Sequence, residues 1–216
     1  MDERTSGIIL RTRPLTETSL IVQWLTKDFG RLSTGAPGAR RAKSPFLGKL
    51  DLFYEAEFSF ARSRRSELHA LREVSVRDPH ERLREELAWL HQASYFAVLI
   101  EKSTETDTPI VEIYELMREA LTALPKAAPN GASVVLFEMK LLALLGYAPD
   151  PAGMSAAVRH ASERCVQTDF AEGVKVLQAL SDAAKREVNR VLQREMGTVL
   201  ERLPPQRQAA LKSVVR

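Results

Sequence analysis

Between Phe29 and Lys49 the chain carries Arg31, Arg40, Arg41, Lys43 and Lys49 and no Asp or Glu. Three of the five sit in Gly35-Ala-Pro-Gly-Ala-Arg-Arg-Ala-Lys-Ser44, a stretch broken by Gly and Pro between two runs that read as strands. A basic run inside a helix is usually a solvated face; on a loop it projects a concentrated positive field. Such a field suits a polyanion, because each phosphate neutralised by Lys or Arg releases condensed counterions. Arg62, Arg64 and Arg65 form a second cluster that extends the track. The bland reading of the same residues stays open: Arg40 and Arg41 keep a surface loop solvated.

The charge is unevenly placed. Residues 1–80 hold 14 Lys and Arg against 10 Asp and Glu, a balance of +4; residues 81–216 hold 17 against 18, a balance of −1. An excess confined to the first part suits a nucleic-acid-binding module attached to something else. The Met-Asp-Glu-Arg start and the short apolar run Ile8-Ile9-Leu10 do not make a signal segment, and no apolar run approaches the roughly 20 residues of a membrane span. A single cysteine, Cys165, excludes an internal disulfide framework. The expectation is a soluble protein of a reducing cytoplasm.

Signatures of catalysis and metal binding are missing. Gly48-Lys49 is followed by Leu50 and has no glycine five residues before it, so it makes no phosphate loop. The four histidines, His69, His80, His91 and His160, are scattered. His160 and Cys165, five apart, point about 140° from one another on a helix, which is poor for shared ligation. Cys165 reads as a buried small apolar residue. The chain is expected to bind rather than convert, with no catalytic residue, no cofactor and no metal.

The elements that must position the basic loop change character near residue 78. Gly7–Arg13 and Thr18–Thr26 read as strands joined at the turn-like Pro14-Leu-Thr-Glu17, and Arg31–Ala36 as a third. Leu52–Ala61 alternates, with Leu52, Tyr54, Ala56, Phe58 and Phe60 on one face and Phe53, Glu55, Glu57 and Ser59 on the other. Glu67–Val76 supplies a fifth. Five short strands in about 70 residues suit a small barrel, and the OB-fold is the commonest five-stranded barrel that binds oligonucleotides.

Beyond that point the pattern is helical. Asp78-Pro79-His80-Glu81 reads as an N-cap, a first-turn proline and a capping glutamate. The helix after it places Leu83, Leu87 and Leu90 on one face and is apolar all round at Tyr95–Ile100. Thr108-Pro109 opens a second helix that Pro125 ends. Ser133–Leu145, with only Glu138 and Lys140 charged, reads as the central helix of a bundle, stopped by Gly146. Further helices are expected at Met154–Cys165, Ala171–Ser181 and Ala184–Arg202, with Pro204-Pro205 interrupting before a basic tail. The fold class is α+β: a five-stranded OB-fold barrel over residues 1–78, then an all-α bundle over 79–216.

Set in order, several segments resemble the bacterial recombination-mediator family RecO. They are Gly7-Ile-Ile-Leu-Arg11, Glu17-Thr-Ser-Leu-Ile21, Phe29-Gly-Arg31, the basic loop Gly38-Ala-Arg-Arg-Ala-Lys-Ser44, Leu71-Arg-Glu73, the helix Phe137–Tyr147 and Leu211-Lys-Ser213. The resemblance implies a non-catalytic DNA repair and recombination factor with an N-terminal OB-fold and a helical C-terminal region. Such a factor binds single- and double-stranded DNA, anneals complementary strands, and with RecR loads RecA onto DNA coated by single-stranded-DNA-binding protein. It also implies a site for that protein's acidic C-terminal tail. A receptor for the tail needs an apolar slot and a cation, for which Lys140, with Arg118 on the preceding helix, is the candidate; the alternative is that the helix is buried core and Lys140 incidental.

Two departures stand out. Pro37 occupies a place where the family usually has lysine, and Pro149–Phe170 holds one cysteine where many members carry a four-cysteine zinc motif. The chain is short for the family, and the missing length falls in that segment. Two other function classes remain open: an adaptor whose basic loop grips an acidic protein, and an RNA-binding OB protein. The last would want stacking aromatics on the barrel, for which Phe29, Phe46, Phe53 and Tyr54 are the candidates.

Overall fold

The structure, a computed structural model, describes residues 2–200 and 202–212, so Ser213 lies outside the described residues. Five strands, β1 (Asp2–Pro14), β2 (Leu20–Thr26), β3 (Gly30–Ala36), β4 (Glu55–Ala61) and β5 (Leu68–Asp78), close into a barrel in the order β1-β2-β3-β5-β4. Only the β3–β5 pairing is parallel. This is the expected OB-type barrel. The first strand is longer than the sequence suggests because it serves two neighbours. Asp2–Ile8 pair with β4 and Gly7–Pro14 with β2, so Gly7 and Ile8 are paired on both sides, and the register with β2 shifts between Ile9 and Arg11.

The barrel interior follows from alternation. Ile9, Val22, Trp24, Leu32, Ala56, Phe58, Phe60, Leu71 and Val74 converge in one core. Trp24 stacks on Phe58 with centroids 4.0 Å apart, and its Nε1–H donates to Thr34 Oγ1 at 2.9 Å, so the buried indole keeps a partner. The expected strand Leu52–Ala61 starts only at Glu55. Its alternation fails at Phe53, which lies in the left-handed region at φ 67° and is buried, while Leu52 is exposed. The Phe53 amide donates to Ile9 O at 2.8 Å, and its carbonyl accepts from the His80 ring at 2.9 Å.

The helices are α1 (Leu87–Ser103), α2 (Val111–Ala123), α3 (Gly131–Leu144), α4 (Ala156–Gln167), α5 (Phe170–Gln178), α6 (Asp182–Val199) and α7 (Gln206–Lys212). Side-chain caps explain four starts: Asn130, Ser155, Asp169 and Ser181 each accept from a backbone amide three residues on. Gly146, at φ 81°, ends α3 as expected, with Tyr147 N donating to Leu142 O. The middle of α3 is buried on all sides; Phe137 stacks on Phe96 of α1 at 4.0 Å, and Gly173 of α5 lies against Leu136 where a Cβ would come within 2.8 Å.

Two helical expectations are corrected. Asp78-Pro79-His80-Glu81 does not cap an α-helix: the Asp78 carboxylate accepts from His80 N in a tight turn, His80 takes φ 45°, and one 3-10 turn, Glu81–Arg84, follows. The α-helix begins at Leu87, which is 65% exposed rather than on the buried face with Leu83. The stretch after Pro204-Pro205, read only as a basic tail, forms the helix α7, packed on α1 and α3. Among the described residues no helix is long and apolar enough to cross a membrane.

The chain forms two compact units: Met1–Glu81 with Thr104–Glu115, and Arg82–Ser103 with Leu116–Arg216. The reach of the first unit to residue 104 has a local cause. Thr106 bridges to Arg31, Asp107 N donates to Arg31 O at 2.9 Å, and the Thr108 backbone lies directly on Gly30.

Candidate nucleic-acid interface

The basic loop leaves the barrel at the carboxyl end of β3 and returns at β4. It is a chain of tight turns: Ala39 N donates to Ala36 O, Arg41 N to Gly38 O, Ser44 N to Arg41 O, and Leu47 N to Ser44 O. Gly38 supplies the positive φ, 65°, that the first of these turns requires. Two side chains anchor the loop, since Ala39 and Phe46 are buried in the barrel core. A third tie joins it to the β1–β2 connection, with Arg40 N donating to Thr18 O at 2.9 Å and Gly38 N to Ser19 Oγ at 3.3 Å. With Ala39 and Phe46 spent on anchoring, Arg40, Arg41 and Lys43 face solvent.

None of those three side chains has an ion-pair or hydrogen-bond partner among the described residues. Three cations on a loop held by its own backbone bonds are the kind of surface that meets phosphates at little ordering cost. Lys49, half-buried, lines a groove of about 470 Å³ with Arg4, Arg72, Glu57 and Glu73. There the charges are mixed: Arg4 pairs with Glu73 at 3.2 Å, and Arg77 pairs with Glu57.

Arg31 and Arg62 sit elsewhere and do other work. Arg31 is the second residue of β3, whereas the basic loop follows Ala36; five strand residues separate them, roughly 16 Å along the barrel. The Arg31 guanidinium donates to Thr104 Oγ1 at 2.8 Å and to Thr104 O at 2.5 Å. Arg62 donates to both oxygens of Glu3 at 3.0 and 3.2 Å and to Asp107 at 3.0 Å, with its guanidinium 5.4 Å from the Phe29 ring centre. Hydrogen bonding to Glu3 holds Arg62 protonated even more firmly than usual. Arg64 and Arg65 are exposed without side-chain partners among the described residues and share this end of the barrel with Arg62. The sequence therefore groups as one track residues that the barrel sets at two ends.

The candidate stacking aromatics are not displayed. Phe46 and Phe53 are buried; Phe29 and Tyr54 are partly buried against the core. Arg13, by contrast, was missed: it lies at the end of β1, is exposed and has no side-chain partner among the described residues, close to the connection that the basic loop bonds. The i, i+2 spacing of Arg11 and Arg13 was the available signal.

In the helical unit Lys140 closes the end of α4, its ammonium donating to Thr168 O at 2.5 Å and Val166 O at 3.4 Å. Partial burial lowers its pKa. Arg118 is exposed on α2. Neither lines the apolar cavity of about 300 Å³ formed by α3, α4 and α6 around Met139, Val158, Val166 and Leu192. Sequence reasoning also missed Glu138 as a structural charge: it is fully buried, accepting from Tyr95 Oη at 2.6 Å and from Arg207. Among the described residues no group of three or more His, Cys, Asp or Glu is placed to hold a metal ion. Cys165 is buried, and burial pushes its thiol up to about 11.

Comparison with known proteins agrees with this architecture. Residues 1–80 match the family described as Recombination protein O N terminal, and residues 84–155 match Recombination protein O C terminal. The chain is similar to a protein named DNA repair protein RecO from Rhodopirellula baltica, 34% identical over 143 residues, which is 66% of this chain and 53% of the relative. It is similar to a protein of the same name from Syntrophus aciditrophicus, at 30% over 146 residues, 68% of this chain and 56% of the relative. A Listeria monocytogenes protein so named is 29% identical over 147 residues, 68% of this chain and 57% of the relative. The chain thus spans about half the length of the curated relatives it matches.

Proposed function

The chain belongs to the RecO family, and from that premise we propose that it is a non-catalytic DNA repair and recombination factor of the cytoplasm. It binds single- and double-stranded DNA through the barrel, anneals complementary strands, and with RecR helps RecA load onto DNA coated by single-stranded-DNA-binding protein. It uses no cofactor and no metal. The observation that carries the reading is the set of Arg40, Arg41 and Lys43, unpaired among the described residues on a loop pinned by Ala39 and Phe46. Lys49 extends this surface, and Arg64 and Arg65, at the other end of the barrel, offer a second set of phosphate contacts. Arg31 and Arg62, already tied to Thr104, Glu3 and Asp107, contribute only where DNA replaces those partners.

Phosphate binding of this kind is sequence-independent and salt-sensitive. The test is affinity for a single-stranded oligonucleotide as a function of salt, with wild type and the Arg40→Ala/Arg41→Ala variant. The variant should bind more weakly, and its log K against log salt slope should flatten by roughly 0.7–0.9 for each phosphate no longer engaged. An unchanged slope would favour the adaptor reading, in which the loop meets an acidic protein. In the helical unit, Arg118 and Lys140 are proposed cations for the acidic C-terminal tail of single-stranded-DNA-binding protein; Lys140 would exchange the Thr168 and Val166 carbonyls for the tail's carboxylate. Titrating a labelled tail peptide against Lys140→Ala and Arg118→Ala tests that assignment.

A further inference from the structure

The barrel unit shows few large apolar side chains to water. Among the described residues they are Leu15, Leu47, Leu52 and Val111, and none is aromatic. Three of the four lie on the two connections that carry or touch the basic loop. Leu15 is on the β1–β2 connection, at 46% exposure; Leu47, at 62%, and Leu52, at 37%, are on the β3–β4 connection. The two connections are hydrogen-bonded to each other through Arg40 N and Thr18 O.

Leu47 is the best placed. Its neighbour Phe46 is buried in the core, and Gly48 turns the chain at φ 71°. The backbone bonds Leu47 N to Ser44 O and Lys49 N to Phe46 O hold the turn on both sides. The side chain therefore stands out from a fixed apex, between Lys43 four residues before and Lys49 two residues after. A leucine held in water costs solvation, and a fixed one loses little entropy when it meets an apolar face.

We propose that Leu47, with Leu15 on the adjoining connection, packs against the faces of unstacked bases while the neighbouring Arg and Lys side chains hold the phosphates. The inference rests on the DNA-binding reading and adds to it the part of the strand that is touched. A protein partner is the less fitting occupant, because the cores of protein interfaces are depleted in charge whereas Leu47 lies in the chain between Lys43 and Lys49, on the loop that carries Arg40 and Arg41. Every base has an apolar face, so the packing is sequence-tolerant; bases stacked inside a duplex do not offer it. Single strands are then preferred over duplex, and the aliphatic surface replaces the aromatic platform that the barrel buries.

The experiment compares an oligothymidine with an abasic strand of equal length and charge, binding wild type, Leu47→Ala and Arg40→Ala/Arg41→Ala across a range of salt. Wild type should bind the oligothymidine more tightly than the abasic strand. Leu47→Ala should weaken binding about five- to tenfold on the oligothymidine, in proportion to the apolar area no longer buried, and not at all on the abasic strand. Its salt slope should match wild type, since no phosphate interaction is removed. Equal wild-type affinity for the two strands overturns the proposal, as does an equal weakening on both in Leu47→Ala, which would assign the leucine to a role other than base packing. The arginine variant separates the two readings. If it weakens both strands and flattens the slope while Leu47→Ala does nothing, DNA binding stands and the base packing falls; if no variant or strand shows salt-dependent binding, both fall.

Discussion

Arg207 on α7 and Glu138 on α3 form a buried, two-pronged ion pair, Nε to Oε1 at 2.6 Å and Nη2 to Oε2 at 2.9 Å. Tyr95 Oη shares Oε1, and Asn189 Oδ1 accepts from the same guanidinium at 3.3 Å. A carboxylate removed from water in this way is tolerable only while every donor is in place. Beside it, burial raises the Tyr95 hydroxyl far above its usual range, so it stays a donor to Glu138.

Arg207→Met is therefore expected to destabilise the protein by about 3–5 kcal/mol, because it strands the Glu138 charge. Replacing both partners, Arg207→Met with Glu138→Leu, should recover most of that stability. Urea unfolding of the single and double variants checks it; a double variant as unstable as the single one would mean that packing of α7, not charge, is what matters.

Arg62 should behave unlike Arg40 although both are arginines of the barrel unit. It is bound to Glu3 and Asp107 and lies over Phe29 and Phe60. Arg62→Ala is expected to lower stability by about 1 kcal/mol, the scale of a partly exposed ion pair with a cation–π interaction, and to leave the DNA salt slope unchanged. Arg40→Ala should do the reverse. A melting curve and a salt titration on each variant decide the matter.

The sequence made the barrel legible wherever one face is buried throughout. Ala56, Phe58 and Phe60 alternate as expected, and the five strands follow from such runs. It misled where long-range bonds set the backbone, as at Phe53 and His80, each at positive φ and bonded to the other. The exposed charges Arg40, Arg41 and Lys43 could be found from their clustering on a stretch broken by Gly and Pro, which reads as a surface loop. The fate of Arg31 could not, since Thr104 lies 73 residues away. For the same reason Glu138 looked like a stray charge on an apolar helix: its partner is 69 residues on, in a segment that reads as a basic tail.

Gly30 and Gly48 offer a controlled comparison. Both have positive φ, 67° and 71°, but a Cβ on Gly30 would stand 2.2 Å from Thr108 O while one on Gly48 meets nothing within 4 Å. Gly48→Ala should cost about 1 kcal/mol, the left-handed penalty alone. Gly30→Ala should cost more than about 2 kcal/mol, since the Thr104–Glu115 segment must also shift. Chemical denaturation measures both, and equal destabilisation would show that the segment yields freely.

Cys165 gives a reactivity prediction. Its Sγ is buried, 3.6 Å from Gly173 O, and burial raises its pKa to about 11. The thiolate is then scarce at neutral pH, and alkylation of the native protein should be slower than that of a free thiol by about a hundredfold or more. Unfolding in urea should restore ordinary reactivity. Rapid labelling of the folded chain at neutral pH would show that α4 opens locally.

His69 should make the barrel sensitive to mild acid. Its Nδ1 accepts from Ser63 N at 3.3 Å, so the proton resides on Nε2, and the ring stacks on Phe60. Desolvation, and then the nearby Arg62 charge, lower its pKa below the ordinary 6.5. Protonating Nδ1 would end the bond from Ser63 and place a cation next to Arg62. In the window between the lowered native pKa and 6.5 the unfolded chain binds more protons than the folded one. The stabilisation is complete above the unfolded value and is lost as pH falls through that window. Melting temperature should therefore decline from about pH 7 to about pH 5 more steeply in wild type than in His69→Asn. NMR titration of the ring should give a native pKa below 6.5, and in Arg62→Ala that value should rise toward it. A His69 that titrates at or above 6.5 in the folded protein would refute the account.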